Sequence, residues 1–293
     1  MPTIDFHKDI SLILDRNRDG SFSTRASRKA ILHQVADELR QLGYYNVPAQ
    51  GLKPKHIQAL VAKWTNEGKS AGTLKNRMSH LRWLAAKIGK PAIVARNNSE
   101  YGINRRRYVT NISKSTEIPQ GRLSEVRDEH LRTSLQLQAA FGLRREECIK
   151  FQPRFALNHD RPGYIRLKAS WCKGGRERYI AITTEAQREA LNQAMNIAGG
   201  GSLIPPERRY IDQLRIYEGE CKRLGMSKLH GLRHAYAQAR YRSITGWQAP
   251  AAGGPTSKRL STEQKAIDRS ARLQISQELG HERESITAVY LGR

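Results

Sequence analysis

Three short motifs in the last quarter of the chain limit what it can fold into. Residues 230–234 read His-Gly-Leu-Arg-His, residues 279–281 read Leu-Gly-His, and Tyr290 follows. Transfer of a phosphate ester needs cations for its non-bridging oxygens, a nucleophile, and an acid for the leaving oxygen. Because arginine offers a planar fork that fits a phosphate, the motifs predict a phosphodiester site with a tyrosine nucleophile.

The spacing inside these motifs predicts helices around them. His230 and Arg233 lie three residues apart, so on a helix they would share one face. Gly280 is expected to end the preceding helix and to turn His281 toward the site. That preceding helix is predicted from a Ser-x-x-Gln capping box at 261–264 and from apolar residues at four-residue steps.

Positive charge is the strongest compositional signal. The 293 residues include 51 Lys plus Arg against 27 Asp plus Glu, which gives a formal net charge of +24. An excess this large indicates a polyanionic partner. The basic residues are spread along the chain rather than gathered in one cluster, which favours nucleic acid over an anionic membrane. No run is apolar enough to span a bilayer, so no membrane partner is expected.

Length and cysteine content bear on the architecture and the compartment. A chain of 293 residues favours two compact domains. Cys148, Cys172 and Cys221 are odd in number, scattered, and without zinc-ligand spacing. They predict a reducing compartment, the cytoplasm, and no disulfide framework.

The first 95 residues are typical of a helical domain. Residues 1–23 are polar, with a turn predicted at 17–20, and three amphipathic helices follow. Their candidate core positions are Ile31, Val35, Leu39 and Leu42, then Ile57, Leu60, Val61 and Trp64, then Leu74, Met78, Leu81, Ala85 and Ile88. The cations between them are candidates for DNA phosphate contacts, or are only solvated: Lys55, Lys63, Lys75, Arg77, Arg82 and Lys87.

The segment 96–123 breaks the helical periodicity and contains an Arg-Arg-Arg run at 105–107. We interpret it as a basic interdomain linker close to DNA; a solvated basic loop is the alternative. Helices are predicted again from 124 onward, at about 184–197 and 208–224. Residues 246–256 are rich in glycine and proline and predict a flexible loop.

Two further motifs lie in this second half. Residues 141–147 read Phe-Gly-Leu-Arg-Arg-Glu-Glu, which alone is typical of an exposed helical face of charge pairs. Lys-Gly-Gly at 173–175 separates two β-prone runs, so a hairpin is predicted with Lys173 at its turn. A lysine at a hairpin tip is ordinarily a solubility residue.

Taken in order, these motifs resemble the signature of the tyrosine recombinases, the phage-integrase family. Gly-Leu-Arg-x-x-Glu at 142–147 matches the family's first arginine motif, and Lys173 matches its lysine at a hairpin turn, in a Lys-Gly-x-x-Arg-like motif. The resemblance implies a mainly α fold with a small β-sheet. It further implies a helical core-binding domain at 1–95, a basic linker at 96–123 and an α+β catalytic domain at 124–293.

The resemblance also implies a mechanism. Tyr290 would attack a DNA phosphodiester, forming a 3′-phosphotyrosyl link and releasing a 5′-hydroxyl. Arg144, held by Glu147, and Arg233 would clamp the non-bridging oxygens, and His281 would donate a further bond.

Proton transfer and the cofactor requirement follow from the same resemblance. Lys173 would protonate the leaving oxygen, and His230 would assist proton transfer at the tyrosine. Two arginines and a lysine can do the electrostatic work of a metal ion, so no metal and no other cofactor is expected.

The implied function is integration or excision of a mobile DNA element by a site-specific recombinase. The implied partners are double-stranded DNA attachment sites, a homotetramer on paired sites, and accessory proteins for DNA bending or excision, in the cytoplasm on the nucleoid. Three alternatives stay open: a chromosome-dimer resolvase, a type IB topoisomerase-like enzyme, and a non-catalytic DNA-binding protein of the same fold.

Three of the site residues also have a structural alternative. His230 could cap a helix, His281 could be a structural histidine, and Tyr290 could be a core aromatic. His234 and Tyr236 are assigned to packing or to support of the site. A zinc site from His230, His234 and His281 fits the spacing but is disfavoured, because no Glu lies between the first pair and no Cys is near.

Two departures from the family pattern concern the end of the chain. The interval from His230 to His281 is longer than usual by roughly the Gly/Pro-rich loop and part of the next helix. Only three residues follow Tyr290, whereas many relatives have a tail that packs on a neighbouring subunit. We therefore expect the usual coupling between subunits to be absent or replaced.

Overall fold

The computed structural model describes residues 6–119 and 121–293, and the chain forms two compact units, Met1–Arg107 and Tyr108–Arg293. The division falls inside the segment 96–123 that we interpreted as a linker. Part of that segment packs on the second unit, because the Ser113 hydroxyl donates to Gln238 and Ile118 contacts the second unit's core.

The first unit is helical. The three predicted amphipathic helices are confirmed, and another helix precedes them in the region described only as polar with a turn at 17–20. Phe6 and Ile10 of that helix are buried in the unit's core. The helices are α1 (Phe6–Arg16), α2 (Phe22–Gln41), α3 (Pro54–Asn66) and α4 (Ala71–Lys87).

The core of the first unit departs from the predicted stripe at one helix. In α2, Val35 and Leu39 are buried as predicted, but Leu32 is buried in place of Ile31, and Leu42 is 37% exposed. The buried face of α2 therefore keeps the middle of the predicted stripe and differs from it at both ends. Trp64 at the centre of the core is completely buried, and its indole N–H donates to the Glu38 carboxylate at 2.7 Å.

Several of the candidate DNA contacts have partners inside the first unit: Lys63 pairs with Glu67 and Lys87 with Asp19, and the two arginines are also bound. Arg77 is buried and pairs with Glu38 at 3.2 Å. The prediction that Arg77 contacts phosphate is therefore wrong, because the buried carboxylate occupies its guanidinium. Arg82 donates to the carbonyl of Ala95 at 2.9 Å and to the Asn98 side chain at 2.8 Å.

The second unit confirms a mainly α fold with a small antiparallel sheet. Its two strands pair in the register Tyr164↔Ala181, and helices surround them. The elements are α5 (Glu129–Phe141), α6 (Arg145–Ile149), α7 (Pro153–Leu157), β1 (Tyr164–Leu167), β2 (Arg178–Ala181), α8 (Glu185–Ala198), α9 (Tyr210–Arg223), α10 (Gly231–Thr245), α11 (Thr262–Glu278) and α12 (Glu284–Leu291).

Local sequence explains where the elements around the site begin and end. The predicted capping box is confirmed, because the Ser261 hydroxyl accepts from the N–H of Gln264, and the Gln264 amide oxygen accepts from the N–H of Ser261. Gly280, at φ 63°, follows the end of α11 as predicted. Gly142, at φ 59°, ends α5, and a Cβ there would lie 2.7 Å from the Tyr236 ring, so only glycine fits.

The Gly/Pro-rich segment 246–256 is not the flexible loop that its composition predicts. A 3-10 turn, Pro250–Ala252, lies within it, and Ala249 is completely buried. Small apolar side chains allow this close packing. A Cβ on Gly292 would lie 2.7 Å from the main-chain nitrogen of Ala251, so the segment abuts the end of the chain.

Cys148, Cys172 and Cys221 are free thiols and are buried. Among the helices that the structure describes, none has both the length and the apolar character needed to cross a membrane.

Candidate active site

A buried carboxylate joins two arginines at the centre of the second unit. Arg144 lies at the N-terminus of α6, where its Nη1 donates to Glu147 at 2.8 Å and its main-chain N–H donates to the same carboxylate at 2.7 Å. Arg178, the first residue of β2, donates twice to Glu147, at 2.9 and 2.7 Å. Glu147 is completely buried. Its single carboxylate therefore holds the guanidinium groups of both arginines in place.

The electrostatics keep this carboxylate ionised. Burial alone would raise the pKa of Glu147, but the charge and hydrogen bonds of Arg178, with the charges of Arg233 and Arg144, lower it to about 2. One negative charge therefore faces three arginines. The site therefore carries a net positive charge, which suits an anionic ligand.

Arg233 on α10 is the most deeply buried of these cations. Its Nη1 donates to the carbonyl of Gly142 at 2.6 Å, and its Nη2 donates to the carbonyl of Leu279. Arg144 Nη2 reaches that same Leu279 oxygen at 3.4 Å. Burial and the nearby charges of Arg144 and Arg178 lower the pKa of Arg233 to about 10.

One N–H group of the Arg233 guanidinium remains available for a ligand. Its Nε is buried and has no hydrogen-bond partner among the described residues. A buried guanidinium N–H without a partner is costly, unless a ligand supplies the acceptor. The two arginines that meet at Leu279 are thus suited to hold a phosphate.

Tyr290, on α12, lies beside these arginines and is only 7% exposed. Its hydroxyl oxygen lies 3.1 Å from His230 Nε2. Its ring packs against the rings of His234 and His281, at centroid distances of 4.3 and 5.2 Å. The guanidinium carbon of Arg233 lies 5.8 Å from the ring centroid.

The three histidines around Tyr290 are held in the neutral form. Burial, followed by the charges of Arg233 and Arg144, lowers the pKa of His230, and it lowers that of His281 to about 3. Burial and the neighbouring His230 lower the pKa of His234 to about 4. A neutral imidazole has one acceptor nitrogen, so His230 can take a proton from the tyrosine hydroxyl.

The neutral His281 is also oriented by a neighbour. Its Nδ1 lies 2.9 Å from the hydroxyl of Thr287, which is completely buried in α12. If that hydroxyl donates, the imidazole proton resides on Nε2, the nitrogen left to bind a ligand.

The structure brings together all but one of the predicted site residues. Arg144, His230, Arg233, His281 and Tyr290 form the cluster described above. Lys173 is exposed in the turn between β1 and β2 and makes no hydrogen bond or ion pair with the described residues.

The residue before Lys173 nevertheless contacts the arginine cluster. The preceding Cys172 accepts a bond from Arg178 at 3.1 Å, and Arg178 holds Glu147. Sequence reasoning did not select Arg178. The signal that could have found it is the arginine that closes the Lys-Gly-rich turn, at the first position of a β-prone run.

The assignment of Tyr236 to packing or support agrees with its position, because it is buried and its hydroxyl donates to the Glu278 carboxylate at 2.8 Å. The zinc alternative has no support. Within residues 6–119 and 121–293, no three His, Cys, Asp or Glu side chains are arranged to hold a metal ion.

Family models match the chain in both units. The model described as "Phage integrase, N-terminal" matches residues 6–94, and the one described as "Integrase" matches residues 104–239. The chain belongs to the phage-integrase family of tyrosine recombinases. This recombinase is therefore an enzyme of site-specific DNA recombination, and the family resemblance drawn from the motifs is confirmed. No curated protein matches it in sequence.

Solved structures of other recombinases share the fold. The XerH recombinase bound to its difH substrate has a TM-score of 0.54 at 14% identity, over 97% of this chain and 80% of that one. The Tn1549 transposon integrase with circular intermediate DNA has a TM-score of 0.53 at 11% identity, over 99% and 96%. A lambda integrase tetramer on a Holliday junction has a TM-score of 0.54 at 14% identity, over 95% and 78%.

Proposed function

We propose that this recombinase cuts and rejoins double-stranded DNA through a 3′-phosphotyrosyl intermediate. The observation that carries the proposal is the contact between the Tyr290 hydroxyl and His230 Nε2 at 3.1 Å, beside the buried Arg233. A phenol with an ordinary pKa near 10 is a weak nucleophile at neutral pH. A neutral histidine within hydrogen-bond distance removes that limitation by accepting the proton during attack.

The proposed reaction balances without a nucleotide cofactor. The Tyr290 oxygen forms a bond to phosphorus, and its proton passes to His230. The bond from phosphorus to the 5′ oxygen breaks, and Lys173 supplies the proton that makes this oxygen a hydroxyl. Attack by a 5′-hydroxyl of a partner strand reverses these steps, so the energy of the ester bond is conserved.

The arginines stabilise the charge that builds on the phosphate. Arg144 and Arg233 already point donors at one oxygen, the carbonyl of Leu279, and Arg233 has a further buried N–H to offer. Donors fixed in place before the reaction strengthen as the transition state gains charge. The neutral His281, whose ring packs on Tyr290 with centroids 5.2 Å apart, adds a further donor.

We further propose integration or excision of a mobile element as the biological role. The supporting facts are the two integrase family models and the likeness to a transposon integrase and to lambda integrase. By the same likeness the substrate is a pair of double-stranded attachment sites held by a homotetramer. A net charge of +24 fits such a polyanionic partner.

Trapping the covalent intermediate tests the chemistry and the target together. Nicked duplexes tiled across the DNA that flanks the gene are incubated with the protein, because a nick lets the short strand with the 5′-hydroxyl diffuse away and stops religation. We expect a detergent-resistant adduct on one duplex, with the 3′ phosphate on the peptide that contains Tyr290. DNA binding without any adduct would favour the non-catalytic alternative, and relaxation of supercoiled DNA that lacks the site would favour the topoisomerase-like one.

The Lys173→Ala variant tests the general acid. We expect its cleavage rate constant to fall by about 10²- to 10⁴-fold, the usual contribution of a positioned acid. A substrate whose leaving 5′ oxygen is replaced by sulfur should restore most of the rate, because a thiolate leaves without a proton.

Lys168→Ala is the matched control, since Lys168 is also exposed beside the hairpin. It should cleave both substrates as the original protein does. If Lys173→Ala cleaves the sulfur substrate as slowly as it cleaves the ordinary one, then Lys173 does not protonate the leaving group.

A further inference from the structure

The segment 111–116, which we call the strap, lies against the end of the chain that carries Tyr290. The Asn111 side chain makes two hydrogen bonds to the main chain of a single residue, Arg293. Its Nδ2 donates to the Arg293 carbonyl at 2.7 Å, and its Oδ1 accepts from the Arg293 N–H at 2.8 Å. Paired bonds of this kind fix both the position and the orientation of the residue they hold.

A second connection runs from the strap to the tyrosine itself. The Ser113 hydroxyl donates to the side-chain oxygen of Gln238 at 3.0 Å. The Gln238 side-chain N–H then donates to the main-chain carbonyl of Tyr290, also at 3.0 Å. Gln238 is buried on α10, the helix that also carries Arg233, so this connection relates the tyrosine to the phosphate-binding arginine.

Two glycines show how closely the strap approaches the site. A Cβ on Gly231, next to His230, would lie 2.7 Å from the Lys114 carbonyl, and a Cβ on Gly292 would lie 2.6 Å from Asn111 Oδ1. Both distances are shorter than side chains tolerate. The main chain on both sides of the His230–Tyr290 contact therefore touches the strap directly.

The helix that carries the nucleophile depends on such contacts. α12 has eight residues, and a helix this short is unstable in water without tertiary support. Besides the strap, the residues after Tyr290 are held by Arg272 Nη1, which donates to the Gly292 carbonyl at 2.9 Å. The Arg293 side chain also pairs with Glu284 at 2.9 Å, and Leu291 is completely buried. Removing the two strap bonds to the Arg293 main chain is expected to loosen the end of α12.

We propose that the strap is a positioning device for the nucleophile, with Asn111 as its positioning residue. The contacts of Asn111 and of Gln238 keep the Tyr290 hydroxyl at His230, and loss of the Asn111 contact leaves the phosphate-binding residues in place while the tyrosine is misplaced. A displacement of about 1 Å at a reacting atom costs roughly 10²-fold in rate. The catalytic part of this proposal rests on the proposed function.

The test uses Asn111→Gly, with Asn46→Gly as its matched control. Asn111 and Asn46 both have positive φ angles, 52° and 54°, and glycine adopts that conformation without strain. Both changes therefore remove the same side chain from the same backbone conformation. Asn46 is exposed in the first unit, so its loss leaves the end of α12 untouched.

Hydrogen exchange in the DNA-free protein is the first measurement, and it does not require catalysis. We expect the amides at 288–293 to exchange about tenfold faster in Asn111→Gly, while those of α10 stay unchanged. The second measurement is the single-turnover rate constant for adduct formation on the nicked trapping duplex, which should fall about 10- to 100-fold with an unchanged Kd for DNA. Asn111→Asp keeps the acceptor for the Arg293 N–H but loses the donor. Its exchange rates and its rate constant should lie between those of the original protein and those of Asn111→Gly.

Each outcome decides the proposal. Unchanged exchange at 288–293 overturns it, as does faster exchange with a normal rate constant, or a loss confined to DNA affinity. If the original protein forms no adduct at all, the proposed function fails separately, and the exchange result alone decides whether the strap fixes α12.

Discussion

Replacing Tyr290 with phenylalanine is expected to abolish covalent attachment to DNA while leaving DNA affinity unchanged. The change removes one oxygen and keeps the ring, so the packing against His234 and His281 is preserved. Without the hydroxyl there is no atom to bond to phosphorus. The measurement is adduct formation on the nicked trapping duplex, together with a binding titration on the intact duplex.

Tyr164→Phe is the matched control for this loss. Tyr164 lies on β1 and is 41% exposed, and its hydroxyl is not part of the cluster. It should form the adduct at the original rate. If Tyr290→Phe still joined or nicked DNA as the original protein does, the assignment of the nucleophile would be wrong.

The second large effect is on stability. Glu147→Gln is expected to lower the free energy of unfolding by about 3–5 kcal/mol, because it leaves buried Arg178 without its counter-charge and in the field of Arg144 and Arg233. Urea unfolding at pH 7 measures it. Glu146→Gln is the neighbouring control; Glu146 is half-exposed and pairs with Lys150, so it should cost about 0–1 kcal/mol.

The same substitution should change the pH dependence of stability in a defined direction. The pKa of Glu147 is about 2 in the folded protein and 4.5 ordinarily. Its contribution is therefore fully present above pH 4.5 and is lost as the pH falls toward 2. The difference between the original protein and Glu147→Gln should shrink over that window, and equal stabilities at pH 7 would contradict the buried ion pair.

His281 and His234 change the stability of the folded protein over a higher range of pH than Glu147 does. The pKa of His281 is lowered to about 3 and that of His234 to about 4, against an ordinary 6.5. Because the unfolded chain takes up protons on them first, stability falls as the pH drops below 6.5 in both proteins. This decline is common to the original protein and the variant, so it does not obscure the contribution of Glu147.

Much of the fold could be predicted because its signals are local. The capping box at Ser261 and the helix end at Gly280 involve residues a few positions apart, and their backbone requirements are visible in the sequence. The helix α1 was missed because only Phe6 and Ile10 are buried on it, which is too short a pattern to establish a period. In α2, choosing Leu32 over Ile31 required knowledge of the neighbouring helices.

The site was predictable to the extent that it lies in motifs. The identities of Arg144, Arg233 and Tyr290 followed from their motifs, and the structure places these residues together. The strap could not be predicted, since Asn111 and Arg293 are separated by 182 positions and neither belongs to a periodic pattern. The partnership of Glu147 with Arg178 was not predicted for a different reason: charged residues beside a turn ordinarily face solvent, whereas these two are buried.

The burial of the phenol ring has a consequence for what happens after the strand is cut. With 7% of Tyr290 exposed and imidazole rings packed against it, the phosphate ester made there would be shielded from hydrolysis. Its lifetime would then be set by the arrival of an incoming DNA end rather than by solvent. On the proposed mechanism, this shielding would let the enzyme hold a cut strand for long enough to rejoin it into a continuous duplex.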